Sequence, residues 1–168
     1  MENLTEQSAS IISPAALLDH WQGHRRLTRK VIESFPEDKL FNYSIGGMRT
    51  FAALALEIMN ISAKGVNGIL TNEWVFTEEL EPLFEDSDIK TKADILWAWD
   101  VITVELNRLF PEIKEERFQE QVKAFGQWDG EAINMILYFI DNEIHHRAQG
   151  TVYLRSLDIE PPAFWNRF

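Results

Sequence analysis

Apolar residues recur at intervals of three and four along four segments of the chain, the spacing that places side chains on one face of an α-helix. The first segment begins at Ser13-Pro14, an N-cap followed by proline, and ends before Pro36. The second follows Gly46-Gly47 and runs to about Leu70, the third lies between about Thr91 and Pro111, and the fourth opens at Asp129-Gly130-Glu131 and continues to about Leu157.

The connections between these segments are long and rich in aromatic residues, so we expect them to pack over the helices. Residues 118–122 are typical of a short extended piece, and no other strand pattern is convincing. Four amphipathic helices in 168 residues predict an all-α fold, a single domain over residues 1–168 built as a four-helix bundle.

The fourth segment carries polar residues on its apolar face. The periodic positions of this face are Met135, Phe139, Asn142, His146, Gln149 or Gly150, Tyr153 and Leu157. A helix that buries Phe139 therefore also points Asn142 and His146 inward. Because buried polar groups need hydrogen-bonding partners, we expect a side chain, water, metal or ligand to meet them inside the protein.

Glu57 points to the same interior, because it is the only charged residue between Thr50 and Ala63. It follows Leu54 by three residues and precedes Ile61 by four, so it can share a face with both. Two readings remain open: Glu57 lies on a narrow exposed stripe, or it is buried beside a partner.

Composition narrows the classes of function. The net charge of −11 and the scattered basic residues exclude a nucleic-acid partner, and the densest basic group, Arg25-Arg26 with Arg29-Lys30, is expected to form a solvated helix face. The absence of cysteine excludes disulfides and a thiolate-based site. With no signal peptide and no run of about 18 apolar residues, we expect a cytoplasmic protein without membrane contact.

Two stretches resemble the DinB/YfiT family of four-helix bundles: SIGGMRTFAALALEI at the start of the second helix, and NEIHHRAQGTVYLR in the fourth, which is followed by Ile159-Glu160-Pro161-Pro162. The order of elements agrees over nearly the whole chain. Members typically hold a divalent metal with three histidines, one from the second helix and two, four residues apart, from the fourth. The resemblance implies a DinB-type bundle. Some members of the family are thiol-dependent S-transferases or amidohydrolase-like enzymes, and many have no known activity.

Carried onto this sequence, the three metal-ligand positions of the family become Glu57, Asn142 and His146. Histidine therefore stands at only one of them. The resemblance also implies that the retained residues around them line the pocket or support the ligands; these are Glu143, His145, Arg147 and Gln149. Ala148 stands where a glycine usually follows the arginine.

This donor set predicts weak or absent binding of zinc or nickel. Imidazole suits both metals, whereas asparagine offers only a neutral carbonyl oxygen. A metal whose shell is completed by water is one alternative. The interpretation we prefer is a polar network without metal, in which Asn142 donates an amide hydrogen to Glu57 and a protonated His146 pairs with the same carboxylate.

The remaining histidines are weaker candidates. His145 lies about 100° around the helix from His146, so we expect it at the surface or behind the ligand positions. His24 follows Trp21 by three residues and is expected near the cavity of His146. His20 and His24 are four residues apart, a spacing that by itself is a weak indication of metal binding.

Two functions follow from these observations, and neither has an identified substrate. The preferred one is a small-molecule-binding or stress-associated bundle whose metal site is degenerate. The alternative is a metal-dependent transferase or hydrolase, in which Glu57 and His146 hold the metal. Because the neighbours Trp97 and Trp99 cannot both face one core, we also expect a homodimer with one of them at the interface.

Overall fold

The computed structural model describes residues 11–84 and 89–168, which are mainly helical. The four long helices are α1 (Pro14–Ser34), α3 (Phe51–Thr71), α5 (Lys92–Leu109) and α6 (Ala132–Ser156), and the two short ones are α2 (Glu37–Asn42) and α4 (Glu81–Phe84). Two 3₁₀ turns, Phe110–Glu112 and Glu115–Gln119, follow α5. The four predicted helical segments are therefore present, with bounds within a few residues of those expected.

Short-range hydrogen bonds set the starts of the long helices. The Ser13 and Thr50 side chains accept hydrogen bonds from the backbone N–H groups of Ala16 and Ala53. At the start of α5, Thr91 and Asp94 form a reciprocal capping box. These caps satisfy N–H groups that have no partner within the helix, which is why a local pattern locates the helix starts well.

A small hairpin precedes α6. Strand β1 (Gln121–Ala124) pairs in antiparallel fashion with β2 (Trp128–Glu131), and Val122 lies opposite Gly130. The expected extended piece at residues 118–122 is thus shifted, because residues 118 and 119 belong to a 3₁₀ turn. The last helix was expected to open at Asp129-Gly130-Glu131; Glu131 is its N-cap and Ala132 its first residue, and residues 129–131 pair with β1.

The long helices pack against one another around an apolar core. Helices α3 and α6 make the most extensive contact, and each long helix also touches α5 or α1. Glycine permits the closest approaches: a Cβ at Gly150 would lie 2.3 Å from the Phe51 ring, and one at Gly65 would lie 2.5 Å from the Phe139 ring. These two contacts bracket Glu57 on α3 and His146 on α6. In the described ranges, no helix is long and apolar enough to cross a membrane.

Candidate functional site

The Glu57 carboxylate is the meeting point of α3 and α6. Asn142 Nδ2 donates to Glu57 Oε1 over 3.4 Å, and His146 Nε2 lies 3.0 Å from the same oxygen. The other carboxylate oxygen, Oε2, forms an ion pair with Arg49. Glu57, Asn142 and His146 therefore do converge, and Glu57 is half-buried beside partners instead of standing on an exposed stripe.

Oxygen atoms face both ring nitrogens of His146. Nε2 points at Glu57, and Nδ1 lies 2.8 Å from Gln149 Oε1. Each contact is a hydrogen bond to oxygen when the ring nitrogen carries the proton. A metal ion could therefore reach either ring nitrogen only by displacing Glu57 or Gln149.

The environment of Glu57 favours its charged form. Burial acts to raise the pKa of Glu57, but the hydrogen bonds from Arg49, His146 and Asn142 outweigh it and leave the pKa below its ordinary value. The Arg49 guanidinium thus supplies positive charge at a carboxylate that would otherwise attract a cation.

The donor set does not fit the divalent metal that the family resemblance implies. Three His, Cys, Asp or Glu side chains are nowhere grouped closely enough to hold a metal within residues 11–84 and 89–168. At Glu57 the carboxylate is engaged by Arg49, His146 and Asn142, and the amide of Asn142 turns its nitrogen toward the carboxylate. Binding a metal there would require displacing Arg49 and turning the Asn142 amide.

An open depression and a larger cavity lie next to this network. Glu57 lines the depression, of about 400 Å³, together with Ala53, Leu56, Asn60, Ile61 and Phe125. Ile61 and Phe125 also line the larger cavity, of about 650 Å³, which extends between the hairpin and α6. A cavity of this size with mainly apolar walls is typical of a small-molecule site.

The other predicted residues fall on two sides of α6. His145 is exposed, with its ring centroid 5.1 Å from that of His146, and Gln149 touches His146. Glu143 and Arg147 face away from Glu57, toward α1. Only part of the predicted pocket set therefore surrounds the Glu57 network.

Glu143 is the centre of a second, fully buried polar cluster. Its carboxylate accepts hydrogen bonds from Trp21 Nε1 at 3.1 Å and Thr28 Oγ1 at 2.6 Å, and Arg25 Nη1 lies 4.0 Å away. Burial raises the pKa of Glu143, against the opposing effect of Arg25 and the hydrogen bonds. The prediction that Arg25 is solvated was wrong, because its side chain is inaccessible to solvent and stacks 4.1 Å from the Trp99 ring centroid.

His24 belongs to this second cluster. Arg147 donates from Nη2 to His24 Nδ1 over 3.0 Å, and His20 Nε2 lies 3.2 Å from His24 Nε2. Burial, followed by the charges of Arg147 and Arg167, lowers the pKa of His24 to about 3. Among the described residues, the His24 side chain hydrogen-bonds with His20, Arg147 and Arg167. His24 is therefore not part of the Glu57 network, contrary to the expectation that it lies near the cavity of His146.

The sequence analysis missed Arg49 and Arg25. Arg49 stands in the motif SIGGMRTF, directly before the N-cap of α3. Because helical side chains tilt toward the N-terminus of their helix, the Glu57 side chain points toward Arg49, and this contact could have been predicted. Arg25 carries no comparable local signal, because its burial depends on Glu143, which lies far away in the sequence.

The comparisons with known proteins agree with this architecture. A model of the DinB family matches residues 1–167. The structure is similar to the crystal structure of a DinB-like protein, YjoA, from Bacillus subtilis, with a TM-score of 0.69 and 16% sequence identity over 88% of this chain and 96% of that one. At this identity the likeness shows a shared fold. Among curated proteins, none matches the chain.

Proposed function

Because the chain belongs to the DinB family, we propose that it is a metal-independent member that binds a small organic molecule between α3, the hairpin and α6. In this proposal the four long helices are the DinB-type four-helix bundle. Glu57, Asn142 and His146 occupy the three metal-ligand positions of the family, and the polar network among them takes the place of a metal centre.

One observation carries the proposal: the Glu57 carboxylate is neutralised by Arg49 and lies at the edge of a preformed cavity system. A carboxylate that already has a cationic partner does not need a metal for charge balance. The adjoining apolar cavity, which shares Phe125 and Ile61 with the depression beside Glu57, offers an organic ligand an extended apolar surface.

A fragment screen by ligand-observed NMR tests the binding function. Fragments that bind in the cavity should lose binding in Asn134→Trp, because Asn134 lines the cavity and the indole ring would fill it. Leu137→Trp is the matched control, since Leu137 is exposed on the same helix and outside the lining. The proposal is contradicted if no fragment loses binding in Asn134→Trp.

A metal-dependent transferase or hydrolase is the second candidate, and Asn142 favours it. Its Oδ1 atom is buried and has no hydrogen-bond partner among the described residues. A cation would give that oxygen a partner. Metal analysis of protein purified without a histidine tag decides between the two, because stoichiometric zinc or nickel that survives mild chelation would favour the enzyme.

We also propose that the chain acts as a cytoplasmic homodimer. Trp99 is buried, whereas 46% of Trp97 is exposed. An apolar stripe along α5 is formed at steps of four and three by Trp97, Val101 and Val104. Of these, Val104 is 68% exposed. An apolar stripe of this kind supports an interface with a second copy.

A further inference from the structure

The lining of the larger cavity also indicates the class of ligand, an inference that rests on the proposed binding function. We propose that this cavity takes an organic cation, an amine or quaternary ammonium group carried on an apolar or aromatic body. Three properties of the lining favour such a ligand: its charge, the arrangement of its aromatic rings and the backbone conformation of Phe125.

Basic side chains are missing from the described residues that line the cavity. Asp129 is the one charged residue among them, and its partner across the hairpin, Lys123, lies outside the lining. The polar groups that remain are the amides of Gln127 and Asn134. Among these lining residues an anionic ligand would find no basic side chain to pair with, whereas a cation could bind the amide oxygens.

The net charge of the protein also favours a cationic ligand. The chain carries a formal net charge of −11, so a cation is attracted toward the protein and an anion is repelled. The Arg49 guanidinium is paired with Glu57 and lies outside the cavity lining.

Aromatic rings form a corner of the cavity. The rings of Phe125 and Trp128 stand at 81° with their centroids 6.2 Å apart, and both residues line the cavity. Tyr138 and Phe139 lie across from them on α6 and meet each other at 76°. Ring faces attract cations through their quadrupole, and several rings around one space are the usual way proteins hold alkylammonium groups.

Phe125 is held in a conformation that the backbone of a bulky residue rarely adopts. Its φ angle is +52°, in the left-handed region, and the next residue, Gly126, has a φ of +69°. A glycine or asparagine would occupy this turn at lower cost. The strained residue carries the ring shared by the depression beside Glu57 and the larger cavity, a location that points to a role for the ring.

The experiment compares three probes that differ mainly in charge: 2-phenylethylamine, 2-phenylethanol and phenylacetate. Their dissociation constants are measured by NMR titration of the full chain at neutral pH, where the amine is a cation and the acid an anion. We expect the amine to bind at least about tenfold more tightly than the alcohol, and the carboxylate to bind most weakly.

Substitutions test whether the aromatic rings cause the preference for the amine over the alcohol. Trp128→Leu and Phe125→Leu should weaken amine binding by about tenfold while changing alcohol binding much less, because leucine keeps apolar contact and loses the ring face. Trp165→Leu is the control, an exposed tryptophan outside the cavity. Phe125→Asn should abolish amine selectivity, because it removes the ring while asparagine tolerates the positive φ.

The outcomes separate the inference from the function on which it rests. If the alcohol or the carboxylate binds as tightly as the amine, the proposed ligand class is overturned while binding in the cavity stands. If the amine binds and Trp128→Leu and Phe125→Leu leave it unchanged, the cation does not lie against these rings and the inference also fails. If none of the probes binds, the inference fails and the fragment screen decides the binding function separately.

Discussion

The Arg49 guanidinium forms an ion pair with Glu57 at the helix position where the DinB resemblance places a metal-binding histidine. A metal ion and a guanidinium both bring positive charge to this point. The guanidinium adds directional hydrogen bonds and leaves no coordination position for water or a thiol. Recognition of a ligand next to this network therefore needs no metal at Glu57, whereas metal-activated chemistry would first require Arg49 to be displaced.

Restoring histidine should convert the site into a metal centre. In the variant Glu57→His with Asn142→His, three imidazoles face one another across α3 and α6, and Arg49 loses the carboxylate it pairs with. We expect zinc affinity by isothermal titration calorimetry to rise about a hundredfold or more, equivalent to about 2.7 kcal/mol. A folded double variant that binds zinc no better than the original protein would mean that the three imidazoles cannot reach a common coordination geometry.

Removing Arg49 should change the pKa of Glu57 more than it changes stability. Both side chains are partly exposed, so Arg49→Ala is expected to lower the free energy of unfolding by only about 0–1 kcal/mol. The Glu57 pKa should rise toward its ordinary value, since the guanidinium lowers it in the folded protein. Carboxyl carbon NMR titration measures the shift. Arg155→Ala, which removes an exposed arginine from α6, should leave the Glu57 pKa unchanged.

Acidification should destabilise the protein through His24. Its folded pKa of about 3 lies below the unfolded value of 6.5, so the unfolded state binds more protons between these limits. Stability contributed by neutral His24 is present above pH 6.5 and is lost as the pH falls toward 3, by at most about 1.4 kcal/mol per pH unit. The free energy of unfolding, measured with urea from pH 7 to 5, should fall less with decreasing pH in His24→Gln than in the original protein.

The contributions of Glu143 and Arg25 to the free energy of unfolding should be strongly coupled. Removing the carboxylate in Glu143→Leu leaves Arg25 and Arg147 buried without their counter-ion, and we expect a loss of about 3–5 kcal/mol. Combining Glu143→Leu with Arg25→Met should cost less than the two single substitutions added together. Denaturant unfolding of the three variants measures this coupling, and strict additivity would rule out the interaction.

Trp97 should be required for dimer formation. Light scattering is expected to give a dimer mass at micromolar concentration, and Trp97→Glu should shift the protein to monomer because a charge cannot be buried unpaired in an apolar interface. Val152→Glu places the same charge at an exposed position on α6 and should leave the dimer intact. A monomer well above micromolar concentration in the unsubstituted protein would contradict the proposal.

Local chemistry explains which features were predictable. The starts of α1, α3 and α5 depend on caps within three residues, and the face of α6 follows from its period. The hairpin escaped prediction as a pair because its strands have four residues each and its turn places Phe125 at a positive φ. Arg25 was misjudged because charge alone suggests solvent, and only the folded chain brings Glu143 beside it.

The glycine contacts on either side of the Glu57 network bear on how such a site changes over evolutionary time. Gly150 against Phe51 and Gly65 against Phe139 hold α3 and α6 at a spacing that does not depend on the residues between them. Side chains at 57, 142 and 146 can then be exchanged one at a time while the two helices keep their distance. A lineage can thereby move between metal coordination and a guanidinium-balanced network through a series of folded intermediates.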